Sequence, residues 1–156
     1  MKKQNLVVIG NGMVGQKLLD QLAESGATAR YAITVLCEEP RPAYDRVQLT
    51  AYFSGSSAAD LALVEQTFFD THGIALQLNC RSVAIDRDKR QVHSAAGACF
   101  DYDKLVLATG SYPFVPPIPG HDRDGCYVYR TIEDLDAIRQ GASGRSSGVV
   151  VGGGLL

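Results

Sequence analysis

The sequence is most limited in residues that would hold metals, bind polyanions or cross membranes. Its four cysteines are widely spaced and no two form a C-x-x-C pair, so we expect no zinc or iron–sulfur site within these residues. The formal net charge of the 156 residues is −2, which gives no reason to expect nucleic acid or an anionic membrane as partner. No apolar run approaches the ~20 residues of a membrane span, and Leu6–Ile9 is too short for a signal peptide. We therefore expect a cytoplasmic protein.

The first 37 residues follow the pattern of a strand, a helix and a second strand. A β-branched apolar run at 6–9 ends in Gly10-Asn-Gly-Met-Val-Gly15. Val14, Leu18 and Leu22 then recur at helical spacing, and an apolar strand follows at 32–37. This is a βαβ unit, in which a right-handed crossover makes the two strands parallel.

The remaining residues predict further α/β structure. Residues 39–57 contain two prolines and several serines and are interpreted as an irregular connection. Ser57 is expected to cap a helix that closes at His72-Gly73, and Thr131 a second helix near the end of the chain. The predicted strands are 74–78, a small antiparallel meander at 81–86, 91–94 and 98–102, and 104–108, 127–129 and 148–151. The expected fold is an α/β, Rossmann-like domain with a parallel sheet, helices and the meander.

One sequence pattern occurs twice. Val7-Val-Ile-Gly-Asn-Gly12 resembles Val149-Val-Val-Gly-Gly-Gly154, and the second copy stops before its third glycine. We therefore expect an incomplete fragment of a longer protein. Residues 1–147 would form a first nucleotide-binding domain, and 148–156 the first strand and truncated phosphate loop of a second.

The glycines of the first copy predict a dinucleotide site. Gly10 permits a tight turn, Gly12 lets a pyrophosphate approach the backbone, and Gly15 lets the helix pack on the strand. The helix start favours the phosphate charge. Glu38 lies 23 residues after Gly15, at a strand end where a carboxylate accepts hydrogen bonds from the adenosine ribose. Glu39 is the alternative ribose partner.

Several longer stretches resemble one family of flavoproteins. They are 8–15, 33–41, 43–47, 102–105, 108–113 and 129–135. The chain is similar to the FAD-binding portion of the oxidoreductases with two dinucleotide-binding domains, one for FAD and one for NAD(P)H. Within that family it is most similar to the large subunits of the NAD(P)H-dependent nitrite reductases.

The resemblance implies a set of cofactor-binding residues. The FAD pyrophosphate loop would be Gly10, Asn11, Gly12, Met13, Val14 and Gly15; Glu38 or Glu39 would bind the ribose; Arg46, Val83 and Arg130 would approach the phosphate, adenine and flavin; Ala108, Thr109 and Gly110 would lie against the FAD; and Gly152 and Gly154 would begin the NAD(P)H loop. Arg46 could instead be a surface cation beside Asp45. No catalytic residue is assigned.

Two departures from the family pattern bear on electron transfer. Disulfide reductases of this kind carry C-x-x-x-x-C after the second strand, where this chain has no cysteine between Cys37 and Cys80. Some ferredoxin and rubredoxin reductases have a lysine after a Leu-Ser pair, where this chain has Leu49-Thr-Ala51. Electrons would therefore leave the flavin by a route other than a local disulfide.

The resemblance implies an enzyme, in full-length form, that passes electrons from NAD(P)H through FAD to a metal centre. The acceptors would be an iron–sulfur cluster and sirohaem outside this fragment, and the substrate nitrite. The alternatives are the electron-transfer subunit of an assimilatory nitrate reductase, a ferredoxin or rubredoxin reductase, or a non-catalytic FAD-binding module. The fragment alone is expected to be inactive, and an exposed sheet edge would allow a dimer.

Overall fold

A computed structural model describes residues 2–153. Its strands are β1 (Gln4–Ile9), β2 (Tyr31–Leu36), β3 (Ala75–Gln77), β4 (Ser82–Asp86), β5 (Gln91–Ser94), β6 (Cys99–Asp101) and β7 (Lys104–Leu107). Its α-helices are α1 (Met13–Glu24), α2 (Leu49–Phe53), α3 (Gln66–His72) and α4 (Ile132–Ala142). None of these helices is long and apolar enough to cross a membrane.

The four strands β3, β2, β1 and β7 form a parallel sheet in that order. Because neighbouring residues of a strand face opposite sides, β1 supplies two cores. Leu6 and Val8 pack with Leu19 of α1 and Phe69 of α3 on one face. Val7 and Ile9 belong to a separate cluster on the other face. The predicted parallel sheet is thus confirmed, and β1 is one of its two inner strands, buried from Leu6 to Ile9.

The antiparallel meander is also confirmed. Strands β4, β5 and β6 pair in sequence order. Val92 of β5 is fully buried and packs in the same cluster as Val7 and Ile9 of β1. The small sheet therefore covers the face of the parallel sheet opposite α1.

The segment between β2 and β3 differs from the prediction. The helix expected from Ser57 begins only at Gln66, because the Ser57 and Asp60 side chains close a turn and Tyr44 forms a bridge with Ala62. Conversely, the connection predicted to be irregular contains α2. Leu49 of α2 is buried against α4, so tertiary packing stabilises a helix that the local sequence does not indicate.

Two predicted strands are not formed, whereas the predicted last helix is. Tyr129 lies outside the sheets and stacks on Phe53, with ring centroids 6.2 Å apart. Residues 148–151 pair with no strand in the described part of the chain, and the valines at 149–151 are 73–91% exposed. A β-prone run does not become a strand without a neighbour to bond. Helix α4 begins at a Thr131 cap that is closed reciprocally by Asp134.

Candidate functional site

Three of the predicted site segments meet at the carboxyl end of the parallel sheet. Gly10–Gly15 follows β1, Glu38 and Glu39 follow β2, and Ala108–Gly110 follows β7. The Gly10 amide donates to the Leu36 carbonyl and the Ala108 amide to the Ile9 carbonyl, both at 2.8 Å. The glycine loop is thus flanked on one side by the carboxylates and on the other by the Ala-Thr-Gly segment. Ligands of open α/β sheets bind at this end of the strands.

The three loop glycines have different physical roles. Gly10 has φ of +105°, and a Cβ there would collide with the Ala108 carbonyl oxygen. A Cβ at Gly15 would collide with the Gly10 carbonyl oxygen. Because glycine has no Cβ, α1 can lie this close to the loop. A Cβ at Gly12 would meet no atom within 4 Å. Gly10 and Gly15 are therefore needed for packing, whereas Gly12 leaves open space.

The start of α1 suits an anion. Gly12 is its N-cap and provides no side-chain hydrogen bond, and the first turn contains no acidic residue. Met13 and Val14 are exposed at this end, with 38% and 75% of their surface accessible. The backbone N–H groups of a 12-residue helix are therefore left without a side-chain acceptor beside the open space at Gly12.

Asn11 has a buried side chain whose hydrogen bonds hold the glycine loop in place. Its Oδ1 accepts from the Ala43 amide at 3.0 Å, and its Nδ2 donates to Gln16 Oε1 at 3.2 Å. The side chain thereby fixes the segment after β2 against the glycine loop. Only the backbone of Asn11 is left to face a ligand.

The two candidate ribose carboxylates have different surroundings. Glu38 is exposed: its Oε2 accepts from the Tyr112 hydroxyl at 2.5 Å, and Arg81 Nε lies 3.6 Å from its Oε1. Glu39 is half-buried, accepts from the Tyr44 hydroxyl at 2.8 Å and pairs with Arg46. Glu38 is the carboxylate whose present partners lie at the surface and can be exchanged for a ligand.

Arg46 is held by internal partners. It pairs with Glu39 rather than Asp45, and its Nη1 donates to the Arg130 carbonyl at 3.0 Å. Its guanidinium lies 5.0 Å from the centre of the Tyr44 ring. Burial, followed by the hydrogen bond to Glu39, raises the pKa of Tyr44 above its usual value. Arg46 thus joins the segment after β2 to the start of α4, and it is half-buried and paired with Glu39 rather than a surface cation beside Asp45.

Val83 and Thr109 line a shallow apolar groove beside the glycine loop. Ile9, Ala84, Ile85 and Leu107 complete much of its wall, and its volume is about 300 Å³. Val83 is 59% exposed and Leu107 61% exposed. The groove lies between the parallel sheet and β4, and it offers an apolar surface to a flat ring.

Arg130 lies next to the segment that follows β7. Its Nη2 is 3.2 Å from the position that a Cβ of Gly110 would occupy, and Gly110 has φ of +67°. Its guanidinium also lies 5.1 Å from the centre of the Tyr112 ring. The structure therefore brings Arg130 to the predicted site, whereas Gly152 is exposed in the unpaired terminal segment and Gly154 lies outside the described residues.

Sequence reasoning assigned no role to Tyr112 and Arg81. Both contact Glu38, from the segment after β7 and from the residue before β4. Neither contact has a sequence signal, because 74 residues separate Tyr112 from Glu38 and 43 residues separate Arg81 from Glu38. Within residues 2–153 no three His, Cys, Asp or Glu side chains form a cluster able to hold a metal ion.

Comparison with known proteins places these features in context. The chain is 51% identical over all 156 residues to the N-terminal part of the nitrite reductase (NADH) large subunit of Escherichia coli (strain K12), and it covers 18% of that protein. It is 38% identical to the assimilatory nitrate reductase electron transfer subunit of Bacillus subtilis (strain 168), covering all of this chain and 20% of that protein. The chain thus spans a fifth or less of the length of these relatives.

The chain is also similar to solved structures of reductases. The crystal structure of the covalent putidaredoxin reductase–putidaredoxin complex matches 90% of this chain and 34% of that one, with a TM-score of 0.77 and 29% identity. The ferredoxin reductase for the CYP199A2 system of Rhodopseudomonas palustris matches 88% of this chain and 34% of that one, with a TM-score of 0.79 and 26% identity. The sequence profile of the pyridine nucleotide-disulphide oxidoreductase family matches residues 4–156, so the chain belongs to that family.

Proposed function

We propose that this chain is the FAD-binding segment of an NAD(P)H-dependent oxidoreductase of the nitrite reductase type. The main observation behind this proposal is the open space at Gly12, next to the start of α1, which has no side-chain cap. The identity of 51% to an NADH nitrite reductase large subunit supports the choice among oxidoreductases. FAD, when bound, accepts a hydride and releases electrons one at a time, and the protein supplies binding and orientation.

The residues at the carboxyl end of the sheet fit such a group. The N–H groups at Gly12–Gly15 would hold the pyrophosphate, and Glu38 would accept hydrogen bonds from the ribose hydroxyls. Val83 in β4 would contact the adenine. Ala108–Gly110 and the Arg130 guanidinium would lie on the flavin side, beyond β7.

The electron acceptor belongs outside this chain in the proposal. The described residues lack a metal-ligand cluster, so an iron–sulfur cluster and sirohaem would be held by other parts of the protein. Nitrite would be reduced there, and NAD(P)H would bind a domain that begins near residue 148. A cytoplasmic location and a dimer stay predictions, which fractionation and light scattering would test.

An absorbance spectrum of the full-length protein, before and after anaerobic NADH, tests the proposal. Flavin bands that bleach, together with sirohaem features, are the expected result. Bleaching flavin bands without sirohaem would favour an electron-transfer subunit like the 38% identical relative. A folded protein without flavin absorbance would contradict the proposal.

A substitution at Gly12 makes the test specific to this site. Gly12 has φ of −92°, which any residue adopts, so Gly12→Val fills the open space without backbone strain. We expect a folded protein that purifies with less than about a tenth of the wild-type flavin. The control is Ala29→Val, an exposed position beyond the far end of α1, which should retain its flavin. Full flavin content in Gly12→Val would place the cofactor elsewhere.

A further inference from the structure

Two side chains form a bridge across the glycine loop. Glu38 follows β2 and Tyr112 follows β7, and β1 lies between these strands in the sheet. The hydrogen bond of 2.5 Å between Tyr112 Oη and Glu38 Oε2 therefore spans the end of β1, where the loop begins. We define this pair of side chains as the strap. A molecule that extends from the glycine loop to Glu38 must pass it.

The strap uses the group that a ribose needs. A carboxylate binds ribose by accepting hydrogen bonds from two hydroxyls. In the structure the Tyr112 hydroxyl already donates to one Glu38 oxygen, and Arg81 Nε lies 3.6 Å from the other. The tyrosine hydroxyl and a ribose hydroxyl are donors of the same kind, so they compete for the same oxygen.

Tyr112 is placed where it can leave. The side chain is 66% exposed and belongs to a stretch between β7 and α4 that forms no helix or strand. It lies beneath the Arg130 guanidinium, a contact that does not depend on the hydroxyl. A hydrogen bond at such an exposed position is weak enough to open and strong enough to be populated. The half-buried bond between Tyr44 and Glu39 has no such freedom.

We propose that Tyr112 competes with the adenosine ribose for Glu38, so that the strap must open before FAD fills the site. This inference rests on the proposed function and adds to it a control over cofactor uptake. The apparent dissociation constant of a ligand equals its intrinsic value divided by the fraction of protein that is competent to bind. A strap that is closed in about 70–90% of molecules would weaken FAD binding by about three- to tenfold.

The test is FAD binding to the full-length protein after its flavin has been removed. Tyr112→Phe keeps the ring under Arg130 and removes the hydroxyl. We expect it to bind FAD about three- to tenfold more tightly than the wild type, and to associate faster in a stopped-flow measurement of flavin fluorescence. In a Glu38→Ala background the same substitution should have no effect, because nothing is left to compete for.

Tyr52→Phe is the matched control. The Tyr52 hydroxyl also donates to a carboxylate, Asp136, at 2.7 Å, and its ring also lies near an arginine, Arg139, at 5.4 Å. These contacts join α2 to α4 and do not involve Glu38, so FAD binding should stay at the wild-type value. Control and test variants thus differ in which carboxylate loses its partner.

The outcomes separate the two proposals. Unchanged or weaker FAD binding by Tyr112→Phe would overturn the strap and leave the proposed function intact. Equal gains in Tyr112→Phe and Tyr52→Phe would also overturn it, since the effect would not be specific to Glu38. If the folded wild-type protein binds no FAD, the proposed function fails and the strap fails with it.

Discussion

The two copies of the glycine-rich pattern have nearly the same sequence and opposite surroundings. Val7–Ile9 are at most 8% exposed, whereas the valines at 149–151 are at least 73% exposed. The first copy is a central strand paired on both sides, and the second is unpaired in the described structure. Yet Gly10 and Gly152 have almost the same φ, +105° and +102°. The local torsion is thus set by the sequence, and the strand by its neighbours.

The largest effect is expected when valine replaces Gly10, the first glycine of the first copy. The matching substitution in the second copy is Gly152→Val. Gly10→Val adds the strain of a positive φ to a collision with the Ala108 carbonyl, and we expect a loss of about 3–5 kcal/mol in the free energy of unfolding. At Gly152 a Cβ meets nothing within 4 Å, and the unpaired segment can change its torsion to relieve the strain, so we expect a loss below about 0.5 kcal/mol. Urea unfolding of both variants measures the difference. Equal losses would mean that the backbone at Gly152 is held as firmly in solution as the backbone at Gly10.

The second expected effect concerns the strand residues. Val8→Ala removes two methyl groups from a fully buried position and should cost about 2 kcal/mol. Val150→Ala, at a position 90% exposed, should change stability by less than about 0.5 kcal/mol. Thermal and urea unfolding provide the measurement. A comparable loss at Val150 would show that the second copy is packed in solution.

Much of this architecture can be predicted from the sequence, for an identifiable reason. The Gly10–Gly15 loop, the strands of the parallel sheet and the meander depend on short-range patterns that the residues themselves display. Thr131 and Asp134 mark the start of α4 in the same way. In contrast, α2 depends on packing of Leu49 against Ile132 and Leu135, which lie more than 80 residues away.

The chemistry of the site was less predictable than its position. The glycine loop and Glu38 follow from spacing, but the partners of Glu38 and Arg46 come from remote parts of the chain. Arg46 follows Asp45 in the sequence, yet the Asp45 side chain accepts from the Val47 amide at 2.9 Å and Arg46 pairs with Glu39. Sequence patterns locate a site at the end of a strand, and long-range contacts decide which charges remain available.

The third expected effect comes from a substitution that makes the first three residues of the glycine loop identical to those of the second copy. Asn11→Gly gives the Gly-Gly-Gly sequence found at 152–154, and it leaves the buried Ala43 amide without its acceptor. We expect a loss of about 1–2 kcal/mol in the free energy of unfolding. The reciprocal change, Gly153→Asn, has no amide to meet and should bring no gain in stability. Urea unfolding of the two variants checks both; a gain at Gly153 would show that this segment makes contacts like those of the first copy.

The smallest effect at neutral pH concerns Tyr44, in the segment that packs beside the first copy only. Tyr44→Phe loses the hydrogen bond to Glu39 and should cost about 1 kcal/mol at pH 7.

The pH dependence of the unfolding free energy distinguishes the wild type from Tyr44→Phe more sharply than the value at pH 7. Burial and then the Glu39 bond raise the pKa of Tyr44, so the folded wild type keeps a proton that the unfolded chain releases above about pH 10. The wild type therefore loses stability relative to Tyr44→Phe as the pH rises. The other tyrosines are the same in both proteins, so their contributions cancel in the difference. The difference in unfolding free energy, measured in urea between pH 7 and 12, should shrink above pH 10 and then reverse. Parallel curves would mean that the Tyr44 phenol is hydrated in the folded chain, and that the segment beside the first copy is as open as the second copy.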